Sequence, residues 1–154
     1  MKSAKGIVKN VYAVRLEAGE DIIEGITKLC EQYNIKHGVI VSGIGSLSKA
    51  SFCDPAPFPE KPGGYGYGDT IVLEGGIELI SLSGVICEDD DKNVSLHIHG
   101  AFADGEGKSY AGHLVKGNHV LITVEVIIEE FENIYMARKF DEERGMMLFT
   151  PIQN

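Results

Sequence analysis

The alternation at Val94–His99 constrains this chain most. Val94, Leu96 and Ile98 alternate with Ser95, His97 and His99, the period-2 pattern of a strand with one buried face. Side chains at i and i+2 leave a strand on the same face, with Cα atoms about 6.5–7 Å apart. His97 and His99 therefore project side by side, opposite the apolar face. The following Ala103-Asp104-Gly105-Glu106-Gly107-Lys108 is rich in turn residues, which predicts a hairpin. Its returning strand carries His113, between Gly112 and Leu114, toward the other two. Three neutral imidazoles converging on one point make a first-row metal site that keeps a fourth position open. Zinc is the default metal, at about 2.0–2.1 Å from each nitrogen. The competing account is two histidines on a solvent-facing strand and an unrelated third.

The rest of the chain reads as scaffold around that hairpin. Residues 7–16 alternate loosely and predict a first strand. Gly19-Glu20-Asp21 opens a helix with acidic residues in its first turn. Ile22, Ile26, Leu29, Cys30 and Tyr33 keep helical spacing, and Asn34 is the stop. Gly38–Ser48 is β-branched and then broken by glycine. Gly43-x-Gly45 has Ser48 where a dinucleotide loop needs its third glycine, and no amphipathic helix follows, so a bulge or bend is expected instead. Residues 54–69 hold Pro55, Pro57, Pro59 and Pro62 with a Gly/Tyr run, a long loop whose Tyr65 and Tyr67 are available to cover a neighbouring site. Thr70–Glu74 and Gly76–Cys87 are expected as a strand pair turned at Gly75-Gly76. Gly107-Lys108-Ser109 has the ending of a phosphate-binding loop, but Phe102 stands where its first glycine belongs. His119 opens a strand whose apolar face is Val120, Ile122, Val124, Val126 and Ile128, with Glu125 on the other face. The tail is expected as a hairpin, Ile134–Phe140 returning through Met146–Thr150, because its apolar residues lack helical spacing.

Composition bounds the function. The 154 residues are expected as one domain, 1–154, with a 44% hydrophobic fraction that suits a globular core. No apolar run approaches the roughly 18–20 residues of a membrane span, and the first residues lack the apolar core of a signal peptide. The cytoplasm is the expected location. Cys30, Cys53 and Cys87 are widely spaced and odd in number, which predicts buried free thiols. The formal net charge is −9, and the strongest charge run, Glu88–Asp91, is acidic. A nucleic-acid surface needs clustered Lys and Arg to displace counterions, so charge argues against DNA as a partner.

Leu96-His97-Ile98-His99-Gly100, Ala111-Gly112-His113-Leu114, Gly117 and Val124-Glu125-Val126 together resemble the domain found in plants and prokaryotes and abbreviated PPC. Upstream, Gly19-Glu20-Asp21, Ser42–Ser46 and Glu78–Gly84 match it in order, so the resemblance runs from about Tyr12 to about Ile128. It implies an α+β fold, an antiparallel-rich sheet with one main amphipathic helix. It also implies a homotrimer and, as in some prokaryotic members, a metal on His97, His99 and His113. Leu121 and Ile127 lie opposite Val120 and Val126, so this strand is apolar on both faces, as a trimer interface would need. The three-histidine pattern is also similar to that of acetolactate decarboxylase, a likeness of fold. A zinc so held polarises a carbonyl oxygen or lowers the pKa of a bound water to about 7. A small-molecule ligand or substrate follows, with Glu125, or less favourably Glu78, as general acid/base or as the group that orients a ligand histidine. Plant relatives join the domain to an Arg-Gly-Arg-Pro AT-hook. This chain has no such segment and carries Gly76 where those relatives have Arg. A DNA-associated regulator and a non-catalytic trimeric interaction module are the alternative readings.

Overall fold

The computed structural model describes residues 1–153. Ten strands and one helix follow in the order β1 (Ile7–Glu17), α1 (Ile22–Tyr33), β2 (Gly38–Cys53), β3 (Pro55–Pro57), β4 (Tyr65–Tyr67), β5 (Ile71–Glu88), β6 (Val94–Ala103), β7 (Ser109–Leu114), β8 (His119–Glu132), β9 (Ile134–Asp141) and β10 (Met146–Gln153). The frame is antiparallel. β2 pairs with β8 over Gly38–Lys49, with β5 from Gly38 to Phe52, and with β7 at Phe52–Cys53. Since β5 pairs with β6 and β6 with β7, strands β2, β5, β6 and β7 form a closed ring of pairings. β1 extends the sheet beyond β8. The β9–β10 hairpin attaches to β5 in parallel, through Glu88 and Ala137.

Two of the expected strand patterns are corrected. Gly75-Gly76 does not turn the chain, because Ile71–Glu88 is one strand. Leu47 pairs with Ile77 and Lys49 with Glu74, so the glycines are absorbed as an extra residue on β5. Gly75, at φ 108°, takes the backbone conformation that such a bulge requires. In β8, Ile122 leaves the apolar face and is 69% exposed. Leu47 pairs with Val120 but Gly45 with Val124, so β8 bulges outward between them. The bulge or bend expected near Gly43–Gly45 is present, as a set of register shifts within a continuous β2.

The core lies on the inward face of the sheet. Ile22, Ile26 and Cys30 of α1 pack with Leu16, Ile40, Leu82, Ile86, Val124, Val126 and Ile128. Phe52 stacks on Phe102 at 5.3 Å between ring centres. Each fully buried side chain of this size contributes about 1.5–3 kcal/mol of hydrophobic stabilisation. Asp21 caps α1 by accepting from the Glu24 N–H at 3.1 Å, and its other oxygen accepts from the N–H groups of Gly117 and Asn118, each at 2.8 Å. One buried carboxylate thus fastens the helix start to the β7–β8 connection. Asn34 closes the helix in the left-handed region, at φ 54°. Among the described residues, no helix is long and apolar enough to cross a membrane.

Candidate metal centre

On β6, Ile98, Gly100 and Phe102 are buried, so His97 and His99 point outward. The β6–β7 turn is built by Asp104. Its Oδ1 accepts from the N–H groups of Glu106 at 3.0 Å and Lys108 at 2.9 Å, and its Oδ2 accepts from the Tyr110 hydroxyl at 3.2 Å. That turn sets the register in which His99 stands opposite His113 and Gly100 opposite Gly112. Gly112 is required by packing, since a Cβ there would lie 2.6 Å from Phe52 Cδ2. His113 is thereby brought onto the outward face beside the other two.

The three rings meet pairwise with centres 4.9–5.4 Å apart, and one nitrogen from each lies within 4.8 Å of the others. Nε2 of His97 is 3.1 Å from Nε2 of His99. Two nitrogens bound tetrahedrally at zinc distances stand about 3.3 Å apart, so this pair is already at ligand spacing. Burial, then the Arg138 guanidinium and the other imidazoles, push His97 down to about 4. Burial, His99 and Arg138 lower His113 as well. Both rings are therefore neutral at pH 7, the form that binds a cation. Among the described residues, Nδ1 of His113 is buried with no hydrogen-bond partner. Such a group costs about 1–3 kcal/mol, and a ligand to that nitrogen removes the cost. The residues present fit a first-row metal.

Two hairpins roof the histidines. Tyr67, on the short β3–β4 hairpin inside the long loop, stacks on His113 at 4.5 Å and 23°. Arg138 of β9 and Met146–Phe149 of β10, together with Tyr67 and His97, line a cavity of about 530 Å³. Sequence reasoning missed Arg138 and the β10 wall. The one available signal was the Arg138-Lys139 pair in an otherwise apolar and aromatic stretch, Ile134–Phe140, which named no destination.

Glu125 and Glu78 are not brought to this cluster. Glu125 is exposed on β8, opposite Arg15 and Ile44. β2 and β5 separate it from β6, roughly 14 Å along the sheet at the usual strand spacing. Glu78 is exposed on β5, opposite Ser46 and Ala103.

The model of the Plants and Prokaryotes Conserved (PCC) domain, the family abbreviated PPC above, matches residues 3–132. The chain belongs to this family. Among solved structures, the PPC protein of Pyrococcus horikoshii is 27% identical, with a TM-score of 0.83 and full coverage of both chains. A protein of Archaeoglobus fulgidus described as metal-containing is 28% identical, with a TM-score of 0.82 over 97% of this chain and 99% of that one. A candidate DNA-binding protein of Bacteroides thetaiotaomicron, 22% identical with a TM-score of 0.76 over 97% of this chain and 96% of that one, shares the fold. The bifunctional protein GlmU of Synechococcus sp. strain JA-3-3Ab is 27% identical over 137 residues, 89% of this PPC chain. The chain spans about a fifth of the length of that curated relative. The β9–β10 hairpin, with Arg138, lies beyond the family match.

Proposed function

We propose that this PPC protein binds a first-row metal, zinc by the chemistry of its donors, on His97, His99 and His113, and offers the open position to a small-molecule ligand. The convergence of three imidazoles on one outward face carries the reading. The metal-containing relative from Archaeoglobus fulgidus, similar over nearly the whole chain, supports it. Bound there, the metal supplies Lewis acidity to an oxygen of the ligand. The protein's own groups do the rest. Tyr67 shields His113 from water, and the β9–β10 hairpin walls the approach. The test is competition against a chromogenic zinc chelator. His99→Ala should lose tight zinc binding while keeping the wild-type circular dichroism, because the ring points away from the core. Equal zinc retention in both proteins would defeat the assignment.

Homotrimeric assembly belongs to the same proposal. Val41, Ile44, Ile80, Leu121, Ile122 and Ile127 are each between 38% and 69% exposed, an outward apolar surface of the kind that subunits cover. In such an assembly a neighbouring subunit's Glu125 provides the route by which that carboxylate reaches a histidine site as acid/base group. The cytoplasm remains the proposed location, where unpaired buried thiols such as Cys30, Cys53 and Cys87 are the ordinary redox state. The DNA-associated reading rests on relatives that share the fold at 22% identity. The net charge of −9 opposes it.

A further inference from the structure

The three-histidine group contains no carboxylate. A divalent metal held by neutral imidazoles keeps its full charge of +2. Beside it stands Arg138, half-buried, whose Nη2 donates to the Met147 carbonyl oxygen at 3.0 Å. Among the described residues no Asp or Glu lies within 4.0 Å of that guanidinium. One backbone bond uses one of its five donors. Among the described residues the remaining fork has no anion to pair with, which leaves its charge-assisted donors open to an anionic ligand. Arg138 and His97 line the same cavity. The other walls are Met146, Met147, Leu148 and Phe149, with the ring of Tyr67. The cavity, about 530 Å³, falls within the range of small-molecule sites, about 300–1,000 Å³.

Resting on the metal-centre reading and extending it to the ligand, we propose that this cavity takes a small carboxylic acid. Its carboxylate pairs with Arg138 next to the histidine centre, and its short apolar chain lies against Met146, Leu148 and Phe149. A planar guanidinium fork matches a carboxylate in two parallel hydrogen bonds. A phosphate would call for more donors than one arginine, such as a helix N-terminus or further basic groups, and the lining has neither. The anion supplies the counter-charge that both cations lack. Arg138 and the β10 wall lie on the C-terminal β9–β10 hairpin, outside residues 3–132, so ligand selection rests on that hairpin.

The experiment is calorimetric titration of butanoate, acetate and inorganic phosphate into protein of measured zinc content and, in parallel, into zinc-free protein. Loss of one charge-assisted pair predicts roughly 10- to 100-fold weaker butanoate binding in Arg138→Gln. Zinc content stays unchanged, Arg138→Lys recovers part of the affinity, and acetate binds more weakly than butanoate. Zinc-free protein keeps a weaker affinity that still depends on Arg138. Failure of zinc uptake would thus sink the metal centre, while the zinc-free titration still decides the carboxylate site. Butanoate affinity independent of Arg138 in both forms, or phosphate binding more tightly than butanoate, would overturn the proposal. A second readout on the wild-type protein covers loss of fold in the variant. Butanoate should shift the Arg138 Nε–H resonance, and an unmoved resonance at saturating butanoate counts against the site.

Discussion

His97 and His113 are held neutral by burial and by neighbouring positive charge, and this has a direct consequence for stability. In the unfolded chain a histidine takes up its proton near pH 6.5, whereas His97 in the fold does so only at about 4. Between these values the unfolded state binds more protons, so stability rises with pH. The metal-free protein should therefore lose stability as pH falls from about 6.5 toward about 4, with no further loss from this ring below that. Glu88 and Glu130 carry lowered pKa values, for a different reason. Burial alone would raise them, but hydrogen bonds from Lys36 to Glu88, and from Lys9, Asn10 and Tyr12 to Glu130, outweigh it. Their contribution is lost at lower pH, as each falls through its own range. Urea unfolding midpoints across pH 4–7 separate the two. His97→Ala should flatten the slope between pH 5 and 6.5, and an unchanged slope there would contradict the neutral-histidine account.

At the scale of elements, the pivot is the junction of α1 with the β7–β8 connection. Asp21→Ala removes the cap and frees the N–H groups of Gly117 and Asn118. The expected destabilisation is roughly 2–4 kcal/mol, from a lost cap and two backbone groups left without an acceptor. Asp21→Asn, which keeps acceptor capacity, should lose less, and chemical denaturation measures both. Whether an element was legible in the sequence follows from how local its causes are. β6 and β7 were readable because each has one buried face and Asp104-Gly105 has turn chemistry. α1 was readable from its acidic first turn and the Asn34 stop. β5 was read as two strands because Gly75-Gly76 has the chemistry of a hairpin turn. The long edge of β2, remote in sequence, holds it straight. The face of β8 at Ile122 was misread for the same reason, a bulge set by its partner strand. Arg138 was invisible as a site residue because its place depends on one parallel pairing, Glu88 with Ala137, which no local pattern announces. The three histidines were legible as a group because i, i+2 spacing and one hairpin suffice to join them.

The whole molecule has an asymmetry between its faces. The inward face of the sheet holds the core and α1, while the outward face carries the histidines and a band of exposed apolar residues from Val41 to Ile127. Light scattering at micromolar concentration should give three times the mass of one chain. Ile44→Glu, at a residue 51% exposed and so tolerable in the monomer fold, should shift the population toward single chains. A monomer mass for the unaltered protein would contradict the assembly. The central claim, that His97, His99 and His113 hold a metal, is tested most directly by elemental analysis of protein never exposed to chelator or nickel resin. The account predicts about one first-row metal per chain, zinc above all, as expected for three imidazoles with an open fourth position. Metal-free protein that also fails to take up added zinc would contradict it.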